Sequence, residues 1–218
     1  MYIDLISAIE DAQPAFFFTP DISGFTKFIK STKIEKSKEY IHQLLEVIID
    51  SNILNFKTAE ILGDAVMFYK TGDPPGLDIL ESQVKKTFLD FHLALLDIRE
   101  KSNIEPEELS NLTIKIIVHY GCITTTEIKG MLKLVGPDVI LAHRILKNNV
   151  KEKEYLLMTD QYLLTQNEDI IKNSFTWSKL RSGYKTYDYI GKVHYKFLSL
   201  SHLKEVIDSR KTLDGIAL

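Results

Sequence analysis

The chain has 218 residues, 44% apolar and 26% charged, which is globular rather than disordered composition. Lys and Arg number 27 against 30 Asp and Glu, a net charge of -3 that argues against a partner made of nucleic acid. One cysteine, Cys122, excludes an internal disulfide and any multi-cysteine metal site. No run approaches the roughly 20 apolar residues that cross a bilayer, so no membrane partner is expected. The first residues carry Asp4, Glu10 and Asp11 with no basic leader, so they do not read as a secretory signal and a cytoplasmic location is expected.

Residues 3–10 show weak helical spacing through Ile3, Ile6 and Ile9. Ala15 to Thr19 holds three phenylalanines and has the length of a buried strand, ended by Pro20. Gly24 to Ile29 opens a helix. Lys36 to Asp50 is amphipathic, with Tyr40, Ile41, Leu44, Leu45 and Ile48 on one face. Strands follow near 55–62 and 65–69, with Gly63-Asp64 as the tight turn between them. Pro74-Pro75 marks an irregular loop, and a long helix runs from about Ile79 to Lys101. Leu112–Tyr120 reads as a strand, and Gly121–Lys129 and Met131–Val135 are strand-like around Gly130. Gly136-Pro137 starts a helix ending near Asn148, with proline where its missing N–H costs little. Tyr155–Met158 is a short strand, and Tyr187–Ile190 and Val193–Leu200 form a late hairpin turning at Gly191-Lys192. This order predicts an α+β fold, a βαββαβ core whose antiparallel sheet is covered on one face by helices.

Two acidic residues have unusual settings. Asp21 follows the apolar strand and precedes Ile22-Ser23-Gly24-Phe25-Thr26 at a helix start, and Asp64 lies in the hairpin turn. Carboxylates at a strand end and an adjacent turn can converge on one divalent cation, because Mg²⁺ takes oxygen ligands and leaves positions for phosphate. Ser23, Gly24, Phe25 and Thr26 would then offer backbone N–H groups to phosphate. Either aspartate alone would be read more simply, as a residue that satisfies backbone donors at a turn or helix start. The six histidines show no spacing that builds a zinc site. Cys122 and Trp177 read as packing residues.

The surroundings of the two aspartates narrow the choice. Residues 16–26, Phe-Phe-Phe-Thr-Pro-Asp-Ile-Ser-Gly-Phe-Thr, resemble the opening motif of class III adenylate and guanylate cyclases, Asp-Ile-x-Gly-Phe-Thr after the first strand. Glu60-Ile61-Leu62-Gly63-Asp64-Ala65-Val66-Met67 resembles that family's second metal motif. Residues 136–145 resemble its third, a helix carrying Val-Asn-x-Ala-x-Arg, in degraded form. The motifs occur in the family's order over roughly residues 15–200, which sets the expected domain between an extension, 1–14, and a tail, 201–218. The resemblance implies a ferredoxin-like βαββαβ core, in agreement with the order of elements.

The resemblance also implies two Mg²⁺ or Mn²⁺ ions per site, held by Asp21 and Asp64 with the Ile22 carbonyl assisting. The ligand would be a purine nucleoside triphosphate at the seam of a head-to-tail homodimer. The ribose 3′-hydroxyl would attack the α-phosphorus and pyrophosphate would leave. Glu60 matches a base-reading position on the partner protomer, where adenylate cyclases carry Lys and guanylate cyclases Glu. A carboxylate accepts from guanine N1–H and N2–H₂, and adenine offers no such pair. Lys133 falls on the second base-reading position, where the family expects Asp, Cys or Ser. It reads equally as a solvated strand residue, or as a partner for Glu60. Arg144 matches the transition-state arginine. Ile140, one helical turn earlier on the same face, stands where the family has asparagine, and losing one such donor typically costs about 10²–10³ in turnover. Lys192 matches a lysine that contacts the triphosphate, or is a hairpin-tip lysine in solvent. The leading expectation is a cyclase-like domain that binds metal and purine nucleotide with weak or lost turnover. The alternatives are a working cyclase, guanylate rather than adenylate, and a non-enzymatic dimerisation module.

Overall fold

The three consecutive phenylalanines set the layering. Strand β1 (Gln13–Ser23) turns Phe16 and Phe18 into one buried cluster and Ala15 and Phe17 into another, because successive side chains point to opposite faces. The structure, a computed structural model, describes residues 12–31, 34–101, 109 and 111–207. The helical spacing at 3–10 lies outside them.

After β1 come α1 (Phe25–Ser31), α2 (Ile34–Asp50), the hairpin of β2 (Lys57–Leu62) and β3 (Ala65–Thr71), and α3 (Leu77–Lys101). Then follow β4 (Thr113–Ile128), β5 (Met131–Val135), α4 (Pro137–Arg144), β6 (Tyr155–Thr159), α5 (Asp160–Leu163), α6 (Glu168–Asn173), β7 (Arg181–Tyr187) and β8 (Gly191–Ser199). The sheet order is β2-β3-β1-β4-β6-β8-β7, with β5 paired to the far end of β4. The first four strands pair antiparallel in the order 2-3-1-4, the split arrangement expected of a βαββαβ core. Among the described residues, only β4 and β6 run parallel. The fold is thus mixed α+β on a mostly antiparallel sheet, as the sequence predicts.

Helices α2 and α3 bury Ile41, Leu44, Ile48, Leu80, Val84, Phe88 and Phe91 against Phe16, Phe18, Ile116 and Val118. The other face is covered as well, contrary to expectation. Helix α4 packs Val139, Leu141 and Ala142 there, with Ile145 just past its end, against Phe17, Ile117 and Ile123 among others. The reason lies in β4, whose apolar residues fall on both faces, so both need cover.

Four expected boundaries move. Pro20 does not end β1, which pairs through it and runs on to Ser23. The strand pieces either side of Gly121 are one continuous strand. Gly121 is needed there because a Cβ would lie 2.1 Å from Asp138 Cγ on α4. Helix α4 ends at Arg144 rather than near Asn148. The late hairpin turns at 188–190, so Ile190 is in the turn and Lys192 lies inside β8, paired with Thr186. Past β8 a 3-10 turn (Ser201–Leu203) brings Leu203 and Ile207 into burial against the domain. Among the described residues, no helix is long and apolar enough to cross a membrane.

Candidate functional site

Asp21 and Asp64 meet because β1 and β3 are neighbours. Asp21 stands opposite Ala65 in the ladder, and the Ile22 amide donates to the Asp64 carbonyl at 2.9 Å. The Asp21 side chain is buried and Asp64 is half-buried. Burial pushes the Asp21 carboxyl up to about 6, against the pull of Lys115, and the Asp64 charge adds to the rise. Burial also raises Asp64.

Lys115, opposite Asp21 on β4, places its Nζ 3.0 Å from Asp21 Oδ2 and also donates to the Leu146 carbonyl at 3.1 Å. Sequence reading passes over this lysine. Its signal was a charge set between Ile114 and Ile116 in a central apolar strand. Among the described residues, no third His, Cys, Asp or Glu joins the two aspartates in a metal cluster. Two desolvated, adjacent carboxylates still fit a hard divalent cation completed by water and phosphate oxygens. Lys115 already compensates one of the four oxygens.

Ser23 ends β1, and Phe25 opens the seven-residue α1. Gly24 has φ +88, and a Cβ on it would lie 2.1 Å from the Asn111 carbonyl oxygen. The glycine therefore has a packing reason of its own. Its carbonyl accepts the amides of Lys27 and Phe28. Thr26 is exposed and Phe25 packs partly against the core.

A second group forms around Glu60, on β2 just past the bulge between Thr58 and Glu60. Glu60 Oε1 lies 2.7 Å from His143 Nε2, and Oε2 lies 3.9 Å from Lys133 Nζ on β5. The two expected base-reading positions are thus neighbours within one chain. His143 was missed because it occupies an unspecified position of the third motif.

Arg144 follows on α4. It is exposed, and its Nη1 donates to the Asp188 carbonyl in the β7–β8 turn at 2.9 Å. Ile140 is 52% exposed, so it is not a core residue. Lys192 is exposed with its ammonium 4.0 Å from the centre of the Tyr184 ring. It is a strand lysine on an aromatic face, not a hairpin tip. Helix α4 itself is anchored by Asp138, which is 4% exposed. Asp138 Oδ1 lies 3.1 Å from His119 Nε2, and Oδ2 accepts the Cys122 amide at 2.8 Å. The other His119 nitrogen lies 3.0 Å from Thr159 Oγ1. Burial and the Asp138 charge raise the Cys122 thiol, which suits a packed rather than nucleophilic cysteine.

The fold has the architecture of nucleotide cyclase catalytic domains. The chain is similar in structure to the adenylyl cyclase CyaB from P. aeruginosa, with a TM-score of 0.59 at 16% identity over 86% of this chain and 94% of that one. It is similar to the guanylate cyclase domain of RhGC from Catenaria anguillulae, solved with GTP, with a TM-score of 0.56 at 16% identity over 88% and 98%. It is also similar to adenylate cyclases of Trypanosoma brucei in their monomeric state, with a TM-score of 0.60 at 13% identity over 85% and 89%. At these identities the likeness concerns the fold. By sequence, the chain belongs to the family described as "Protein of unknown function (DUF2652)", whose model matches residues 41–155. It is 33% identical over 132 residues to the "Uncharacterized protein Rv2561/Rv2562" of Mycobacterium tuberculosis. That match spans 60% of this chain and 62% of the relative's length.

Proposed function

We propose that the chain binds a divalent cation together with a purine nucleoside triphosphate, and cyclises the nucleotide slowly or not at all. The observation that carries this reading is the pairing of Asp21 with Asp64, two carboxylates held side by side and raised by burial. Burying two neighbouring carboxylates costs free energy that a bound cation would offset. Asp21 and Asp64 would hold Mg²⁺ or Mn²⁺, with the Ile22 carbonyl assisting. Such an ion, when bound, supplies charge for the triphosphate and acidifies a ribose hydroxyl. Lys115 compensates the Asp21 charge, and its ammonium would add to the positive charge that meets a phosphate.

Glu60 would read the base. Guanine brings donors to the carboxylate, whereas adenine leaves it unpaired at a cost of about 1–3 kcal/mol. GTP should therefore bind about one to two decades more tightly than ATP. Arg144 would meet phosphate charge. Ile140 beside it offers no donor to orient the reacting centre, so binding survives where turnover is slow.

A homodimer completes the arrangement. Asp64 and Glu60 lie four residues apart on one hairpin. Asp64 nevertheless groups with Asp21 and Lys115, and Glu60 with Lys133 and His143. Two half-sites on each chain suit a two-fold pair in which each ligand spans the seam.

Titration with Mn²⁺ and GTP tests the reading. The parent should bind, and Asp21→Ala and Asp64→Ala should each weaken binding by about tenfold or more. Unchanged affinity in both variants would show that the site is misplaced. Incubation with each nucleoside triphosphate and Mn²⁺, followed by chromatography for cyclic product and pyrophosphate, separates a binder from a working guanylate cyclase. A chain that binds neither metal nor nucleotide would be a dimerisation module.

A further inference from the structure

The contact that no motif accounts for is His143 on Glu60. His143 sits on α4 immediately before Arg144 and reaches β2, with Nε2 2.7 Å from Glu60 Oε1. Lys133 approaches the other oxygen only to 3.9 Å. The three side chains are partly open to solvent, at 34% for His143, 29% for Glu60 and 58% for Lys133. None is sealed in the core, so a ligand can reach the carboxylate.

We infer that His143 is a specificity-determining residue that holds the Glu60 carboxylate in position to read guanine and keeps it from closing onto Lys133. This rests on the reading of the site as a purine nucleotide site. The physical argument has three steps. A free glutamate side chain must give up rotamer freedom when it grips a base, and a short bond to His143 removes most of that freedom beforehand. A carboxylate has about four acceptor sites, so one bond from His143 leaves room for both guanine donors, N1–H and N2–H₂. Without His143, the nearest competing charge is the Lys133 ammonium. A direct Glu60–Lys133 pair would need only a short movement, and guanine would then have to displace it. His143 therefore acts through Glu60 and is a positioning residue for base choice.

The experiment measures equilibrium binding of GTP and of ATP, each with Mn²⁺, by competition against a fluorescent methylanthraniloyl-GTP probe. It uses the full chain, His143→Ala and His143→Gln, with melting temperatures recorded alongside. The parent should prefer GTP. His143→Ala should lose about tenfold of that preference, through weaker GTP binding with ATP binding and melting temperature little changed, the size expected for one charge-assisted hydrogen bond. His143→Gln keeps an N–H donor and should restore most of the preference. If His143→Ala keeps the parent's GTP-to-ATP ratio, or loses both nucleotides equally, the inference is overturned and the nucleotide site stands. If the parent binds neither nucleotide, the site reading itself fails and takes the inference with it.

Discussion

On the proposed reading, Ile140 is the residue on which turnover hinges. A core isoleucine replaced by asparagine would bury an unsatisfied amide at a cost of a few kcal/mol. Here the side chain is 52% exposed on the helix face that also presents Arg144, so the amide would stay in solvent. Ile140→Asn should therefore change stability by no more than about 0.5 kcal/mol, as surface substitutions do. It should also raise cyclic product formation, by up to about 10²–10³ if the amide meets the reacting centre as an oxyanion donor does. One melting curve and one product assay check this. A well-folded variant with no gain in product would mean that position 140 is not what limits turnover. Asp21 pays for its burial with a raised pKa, and its ion pair with Lys115 offsets part of that cost.

Helix α4 carries Ile140, His143 and Arg144, so whatever fixes α4 fixes the proposed site. Its anchor is Asp138, which joins the helix to β4 through His119 and the Cys122 amide, while His119 reaches β6 at Thr159. Asp138→Ala would strand a buried imidazole and a backbone N–H. The expected loss is about 2–4 kcal/mol in urea unfolding, with Gly121 left facing a void. A variant as stable as the parent would show that apolar packing alone holds α4. A second tie joins other elements. Glu154, just before β6, contacts His92 of α3 at 2.8 Å and Lys204 beyond the 3-10 turn at 2.8 Å, and its carbonyl accepts the Leu200 amide. Burial by itself would raise the Glu154 carboxyl, but the His92 and Lys204 contacts outweigh it and the net shift is downward. A carboxyl whose folded pKa is depressed adds stability above its unfolded value, and that stability is lost as pH falls through the folded value. The Glu154 contribution to unfolding free energy should thus decline below about pH 4.5, and Glu154→Gln should be less stable at pH 7 with a flatter acid limb. Parallel acid limbs for the two proteins would exclude a role for this carboxylate.

For the molecule as a whole, one group of the exposed apolar residues is concentrated. Ile128, Met131, Leu132 and Val135 lie along the β4–β5 ribbon, which projects beyond the main sheet, and all are exposed. Ile61 and Ile140 are exposed on the elements that carry Glu60 and His143. A ribbon of this kind is costly in water and suits burial against a second copy. Light scattering at tens of micromolar should give a dimer, strengthened by Mn²⁺ and GTP. Leu132→Lys, at 59% exposure, should shift it toward monomer without lowering the melting temperature of the monomer. A parent that stays monomeric with both ligands present would separate the two half-sites for good.

Much of this arrangement is written in local pattern. The amphipathic spacing of α2, the Gly63-Asp64 turn and the Asp21 and Asp64 motifs are short-range features, and periodicity and turn chemistry are short-range physics. What pattern left open was decided by contacts between elements distant in the chain. Lys115 reads as an interruption of β4 until β1 brings Asp21 opposite it. His143 reads as an unspecified helix residue until α4 settles over the sheet and reaches Glu60, 83 positions away. The late hairpin slipped because Gly191 looked like its centre, whereas the ladder pairs Tyr187 with Gly191 and puts the turn before the glycine. Ile140 could be core or surface from sequence, since an apolar residue on a helix is compatible with either. The burial of Leu141 and Ala142 turns that helix so that position 140 faces outward beside Arg144.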